Sequence, residues 1–453
     1  VHGQTNDTIT YRSTIEEVYI KGYENNRDVM EIPGTIQLLE PEDLVRNDNT
    51  SVVRQLNTVP GVRMEQRSPG SYRISIRGSS LRAPFDVRNV KMYWNNVPLT
   101  NPAGITPLNL LDINQIGRIE ILKGPAASVF GAGMGGVVSM STYLPKTNEQ
   151  ALNVSTTVGS YGLQRYAINL LHGNENKRVH ANFAHQQSEG YREQTAFNRN
   201  TLQLTGKLLT NANHSITGSI LYSDLFYEVP GGLTREQFEE DPTQARQPTG
   251  FFPGTVEQEA AVDYNALIAS ITNDYQWSSN FKNTTSLYGL QSFFEMPFIA
   301  DFERETRQGS GGRSVFDYFY TLGLVQGKLT AGGEFQQELL IGRNFENAGG
   351  KPGDISFDDE VRSWQTLAFL KSEWEFPSQL FLDAGVSFND LNYNIYRLQD
   401  AQLDTSYRLN KPFETVITPR IGVLKQVNQS LSVFGSIGNG FSPPSVKEVR
   451  TGD

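Results

Sequence analysis

Arg118 to Val138 reads RIEILKGPAASVFGAGMGGVV. Gly131, Gly133 and Gly136 spell a literal G-x-G-x-x-G inside it. That pattern cradles a dinucleotide only where a strand leads into it and a helix leads out. Here Val137-Val138-Ser139-Met140 follows, a β-prone run, and no acidic residue stands at the distance a βαβ unit requires. No phosphate-binding G-x-x-x-x-G-K-[ST] run is present either. The glycines therefore read as turn residues between short strands, and nucleotide binding is set aside.

Outward from this stretch the texture changes twice. Residues 1 to 23 are polar, with one short β-prone run, Glu16-Glu17-Val18-Tyr19-Ile20. Residues 24–148 mix a helical stretch, short strands and Gly/Pro turns, and residues 149–453 are long alternating strands. Leu152, Val154, Thr156 and Val158 share one face against Asn153, Ser155 and Thr157. Tyr166, Ile168 and Leu170 oppose Arg165, Ala167 and Asn169, and far downstream Leu431, Val433 and Ile437 oppose Ser432 and Ser436. Such alternation suits any half-buried sheet.

The connections narrow the choice. Short polar turns near 173–177, 210–214, 276–280, 377–379 and 426–429 alternate with long segments near 186–200, 227–261, 296–312, 342–360 and 392–412. Tight turns at one rim and long loops at the other are the rhythm of an up-and-down membrane barrel. The expected fold is thus mainly β: a large antiparallel transmembrane β-barrel with an N-terminal α+β domain. Roughly thirteen strands are expected, an odd and unclosed set that leaves unpaired edges in lipid, so the barrel is expected to need further strands.

Composition agrees. The 453 residues carry 39 Lys+Arg against 49 Asp+Glu, a formal charge of -10, which argues against nucleic acid as the partner. There is no cysteine, hence no disulfide framework and no thiolate metal site. Mean hydropathy is -0.42, and no apolar run approaches the roughly 20 residues of a membrane helix. Barrel strands need apolar residues only at alternate positions, so that value is compatible with a membrane wall. The start, Val1-His2-Gly3-Gln4, has neither a basic n-region nor an apolar h-region, and an export signal is expected to have been removed.

Several stretches together resemble the TonB-dependent receptor and transporter family of outer membranes. Arg118–Val138 is similar to the end of its plug domain. Ser51–Val62 (SVVRQLNTVPGV) resembles the plug helix with its Pro-Gly turn, and Ile74–Gly78 (ISIRG) resembles a plug strand. Tyr93–Leu99 (YWNNVPL) stands where the family commonly has an Asp-Gly turn, from which Asn95-Asn96 departs. Pro419–Gly422 and Gly440–Ser445 (GFSPPS) resemble strands midway through the barrel. The resemblance implies about 22 strands around a lumen filled by the plug. It also implies a scarce ligand bound at the outer face, and the inner-membrane protein TonB pulling the plug. It divides the chain into a tail with a TonB box (1–23), a plug (24–148) and the first part of the barrel (149–453).

The implied chemistry is binding and gating, without a covalent step or a resident cofactor; iron would enter only within the cargo. Five histidines and no cysteine leave little for a hydrolytic or redox site. Glu16, Glu17, Val18, Tyr19 and Ile20 form the candidate TonB box, an extended segment suited to strand addition, with Asp7–Tyr11 a second candidate. Arg77 and Arg118 are expected to anchor plug to barrel, with Glu334 as a partner. Arg67 and Tyr72 are expected at the plug apex as ligand contacts, with Arg304, Arg307 and Arg313 adding positive charge from an external loop. The cargo favoured is an anionic iron chelate, a ferric siderophore or ferric citrate. Cobalamin, another metal chelate or an oligosaccharide is the alternative within the family, and a passive porin or adhesin barrel, or a soluble β-rich binding protein, the alternative outside it. A plug and a TonB box speak against a porin or adhesin.

Overall fold

The computed structural model describes residues 27–79 and 87–450. Both candidate TonB boxes, Glu16–Ile20 and Asp7–Tyr11, lie outside the described residues.

The N-terminal domain is a mixed sheet with small helices at its edges. Its elements are β1 (Thr35–Leu39), α1 (Pro41–Leu44), α2 (Val53–Asn57), β2 (Val62–Ser68), β3 (Ser71–Ile76), β4 (Val90–Trp94), β5 (Val97–Pro98), β6 (Arg118–Lys123), α3 (Ala127–Phe130) and β7 (Gly136–Ser141). The sheet order is β1-β6-β7-β4-β5, with β4 and β7 parallel, while β2 and β3 form a separate hairpin. Met92, Trp94, Ile119, Ile121 and Val138 pack as its core. Asn95 and Asn96 turn β4 into β5 with φ of 48° and 69°. A two-residue hairpin of type I′ needs positive φ at both centres, and asparagine tolerates it, so Asn-Asn meets the same backbone demand as Asp-Gly. Gly136 is required more strictly, because a Cβ there would stand 2.0 Å from the Leu122 carbonyl oxygen.

The remainder is one antiparallel sheet. It runs through β8 (Gln150–Val158), β9 (Gln164–Gly173), β10 (Lys177–Ser188), β11 (Phe197–Asn211) and β12 (His214–Glu228). After α4 (Arg235–Glu240) come β13 (Ala261–Ser278), β14 (Phe281–Pro297), β15 (Asp301–Leu322), β16 (Val325–Asn347), β17 (Pro352–Phe376) and β18 (Leu380–Asp400). Then follow β19 (Tyr407–Pro412), β20 (Val416–Asn428), β21 (Leu431–Gly438) and α5 (Val446–Val449). Each strand pairs with its sequence neighbour from β8 to β21, except that β18 pairs β20 directly and β19 adds to the outer part of β18. The path therefore contains thirteen strands plus β19, wrapped around the N-terminal domain and open between β8 and β21.

The burial pattern is inverted relative to a soluble sheet. On β11, Thr201, Gln203 and Thr205 are buried (1%, 0% and 1% exposed), whereas Leu202 and Leu204 are 49% and 45% exposed. Polar residues face the filled lumen and apolar ones face outward, as lipid requires. Among the described residues no helix is long and apolar enough to cross a membrane.

Three expected loops prove to be strand. Segments 296–312, 342–360 and 392–412 mostly continue the ladder, leaving only 298–300, 348–351 and 401–406 as connections. β15 to β18 are 22, 23, 25 and 21 residues long, against the roughly 9–11 that cross a bilayer. In the run from Asp301 to Arg307 one face, Glu303, Glu305 and Arg307, is charged and lines the cavity, and Phe302 is the one apolar residue on the other, so no hydropathy alternation marks the strand and the run looks like loop. Gly440–Ser445 is a second correction: Pro419–Gly422 lies in β20, but Gly440–Ser445 leaves β21 and turns inward over the plug, ending in α5.

Candidate functional site

Where the plug meets the outer half of the barrel, a cavity of about 590 Å³ opens. The plug supplies its floor through the β2–β3 hairpin (Arg67, Ser68, Gly70, Tyr72) and the loop from Leu99 to Asn109. The barrel supplies an aromatic wall of Tyr227, Tyr264, Phe294 and Phe298 with Met296 among them, and a charged wall of Glu303, Glu305, Arg307 and Glu338. Residues 445–450 close the remaining side.

The hairpin stands at the apex because its tip docks on the outer end of β12. A Cβ at Gly70 would lie 2.6 Å from the Tyr227 ring, so only glycine admits that approach, and φ there is +112°. Met64, Ile74 and Ile76 join the plug core, with Leu221 and Ile268 of the barrel packed against it. Arg67 and Tyr72 thus reach the cavity floor. Burial pulls the Arg67 guanidinium below its ordinary pKa, helped by Arg73 nearby, yet an arginine remains cationic at neutral pH. Outside the cavity, Glu65 is held below the usual carboxylate range by hydrogen bonds from Arg73 and Arg63.

The three barrel arginines do not act together. Arg304 and Glu295 are cross-strand partners, with Nε 2.6 Å from the carboxylate, and neither lines the cavity. Arg307 does line it, but its Nη1 donates to Glu338 at 2.8 Å and its Nη2 to Glu305 at 2.7 Å. Arg313 lies deeper, its Nη1 3.2 Å from Glu334 and its Nη2 donating to the Val129 carbonyl, with Phe130 and Phe369 against its guanidinium. Strand alternation and cross-strand register separate three residues that a flexible loop would have let converge.

Glu334 does join plug to barrel, but through other plug residues than Arg77 and Arg118. Lys91 Nζ donates to one Glu334 oxygen at 2.6 Å and Tyr93 OH to the other at 2.8 Å. Burial drives the Lys91 ammonium below the ordinary lysine range, and the Glu334 carboxylate opposes that. Arg77 follows β3 in a left-handed turn (φ 52°) and donates to Thr35 within the plug. Arg118 stands 3.4 Å from Glu120 and 3.8 Å from Glu40, both plug residues. A second junction is Asp112, fully buried, which accepts from Arg165 at 2.7 Å and Arg199 at 2.9 Å on the barrel wall. The missed signals were a lysine inside the apolar run Val90–Trp94 and an aspartate inside Leu110–Ile116, since a charge in an apolar run needs a buried partner.

Known proteins share this arrangement. Residues 28–138 match the TonB-dependent receptor plug domain, and residues 135–453 match the TonB-dependent receptor-like β-barrel. The chain is 27% identical over 216 residues to a ferric enterobactin receptor of Pseudomonas aeruginosa, covering 44% of this chain and 24% of that one. It is 24% identical over 160 residues to the vitamin B12 transporter BtuB of Vibrio vulnificus, covering 35% and 24%. The unliganded ferric citrate transporter FecA superposes with a TM-score of 0.79 at 16% identity, over 93% of this chain and 65% of that one. The siderophore receptor PiuA of Acinetobacter baumannii superposes at 0.71 and 13% identity, over 91% and 65%. The chain thus matches about a quarter of the length of these curated relatives and spans just under two thirds of the solved ones. With a plug model and a barrel model matched in order along nearly its whole length, the chain belongs to the TonB-dependent receptor family, receptors and transporters of the Gram-negative outer membrane rather than enzymes.

Proposed function

We propose that this protein imports a scarce iron chelate, a ferric siderophore or a ferric citrate-like complex, across the outer membrane at the expense of TonB-transmitted energy, with no covalent chemistry of its own. The observation that carries this reading is the cavity itself. It is bounded below by a plug that fills the lumen and is bolted to the wall at Glu334 and Asp112, so nothing of its size passes unless the plug moves. A porin has no such floor. The aromatic wall suits the organic body of a chelate, and Arg67 suits an anionic group, because a guanidinium binds carboxylate through two fixed donors. Arg307, held by two carboxylates, orders the opposite wall.

The complete protein, purified from iron-starved cells, is expected to carry iron or to bind ferric citrate or ferric enterobactin in titration. Binding of cobalamin, and of neither iron complex, would overturn the iron reading. Energy coupling is tested by Val18→Pro, which removes a backbone donor from the candidate TonB box. Uptake should be lost while surface binding persists, and normal uptake would move the box to Asp7–Tyr11 or elsewhere.

A further inference from the structure

The segment from 439 to 450 has two different attachments, and its end, residues 445–450, lines the cavity. Toward the barrel it is held firmly. Val446 and Val449 pack with Leu340, Val361 and Tyr393, Tyr393 OH donates to the Pro444 carbonyl at 2.8 Å, and Arg450 stands 3.0 Å from the fully buried Asp359. Toward the plug its apolar contacts are small, Ala103 with Val446 and Val449 and Pro443 over Gly104, and its polar contacts are few. The Gly133 amide donates to the Phe441 carbonyl at 3.0 Å, and Arg88 reaches Glu448 at 2.9 Å and the Pro443 carbonyl at 3.3 Å. The Glu448 side chain is about half exposed, and an ion pair so open to water is weak.

We propose that residues 439–450 are a strap through which occupancy of the cavity is transmitted to the glycine turn 131–136 of the plug. Arg88 and Glu448 face the cavity, as do Val446 and Arg450, so a body seated there presses on both attachments, and the Arg88–Glu448 pair, open to water, is the one that yields at least cost. The turn it releases is tied to the plug–barrel junction: Phe130, one residue before Gly131, accepts through its carbonyl from Lys91 Nζ at 2.8 Å, and Lys91 holds Glu334. Gly133 itself has φ +144° and closes the turn by accepting from the Gly136 amide. Loosening the strap therefore loosens the element next to the junction that import must open. The strap rests on the import reading only in taking this cavity as the ligand seat.

The test fills the cavity without needing the natural ligand. These 453 residues contain no cysteine; in the complete protein, with any cysteine outside them replaced by serine, Val229→Cys places one thiol on the barrel side of the cavity, where N-(1-pyrenyl)maleimide serves as the occupant. Amide hydrogen exchange over 131–136 should quicken by about tenfold or more on labelling. In the same protein carrying Arg88→Met and Glu448→Gln, exchange there should already be fast and labelling should add nothing. Exchange unmoved by the label, or quickened equally in the strap-cut variant, overturns the proposal. Failure of ferric citrate uptake alone would count against the import reading and leave this result standing.

Discussion

The plug and the wall around it are built from opposite rules. In the plug, Ile121 and Val138 point inward and are fully buried, and a polar residue buried there, such as Gln55, donates through its side-chain amide to plug carbonyls. In the wall, Gln203 and Thr205 point inward and are buried, and Leu204 points out. Both are β-sheets, but the plug's central strands are buried on both faces whereas the wall strands alternate. What differs is the medium on each side: water or protein outside the plug, lipid outside the barrel. The lesson is that a buried threonine and an exposed leucine are as regular here as their reverse is in a soluble fold. The junction between the two regions is mixed: Leu221, Ile268, Val315, Leu367 and Phe369 of the wall pack on plug apolar residues, while Lys91, Tyr93 and Asp112 pair with polar residues of the inward wall face.

The largest expected effect is at that junction. Glu334→Ala leaves Lys91 and Arg313 buried without their carboxylate, and removing one partner of a buried pair costs about 3–5 kcal/mol. Urea titration with protease sensitivity of the plug as readout should show the plug, rather than the barrel, destabilised. An unshifted plug midpoint would mean the junction is not what seats it.

The second test compares the two cores directly. Ile121→Ala should cost the plug about 2–5 kcal/mol through lost packing. Leu204→Ala should cost the barrel less, because lipid fills the space, whereas Leu204→Arg near the middle of its 15-residue strand should cost about 2–4 kcal/mol. Folding titrations into bilayers measure all three, and equal costs for Ile121→Ala and Leu204→Ala would break the comparison.

The smallest effect belongs to the apex, where neither rule dominates. Arg67→Ala should weaken an anionic iron chelate about ten- to a hundredfold, roughly 1.4–2.7 kcal/mol, with folding unchanged. Isothermal titration of both proteins with ferric citrate decides it, and equal affinity would remove Arg67 from the contact.

Much of the fold is legible in the residues. Period-two alternation marks the wall from residue 150, because lipid permits no irregular backbone across it, and short turns mark one rim. The charged stretch after Asp301 hides its strand, since a charged cavity-lining face leaves no hydropathy period to read. For the same reason Arg304, Arg307 and Arg313 read as one cluster, although register hands them to Glu295, to Glu305 and Glu338, and to Glu334.

What the residues alone determine is what local rules enforce: alternating faces, glycines where φ must be positive, asparagines at a tight hairpin, and the order of plug before barrel. Which charges meet was decided only by the tertiary structure. Lys91 and Glu334 are 243 positions apart in sequence, and no periodicity connects them. Their pairing exists because a filled lumen excludes water, and a charge deprived of water must find its counter-charge wherever the fold brings one within reach.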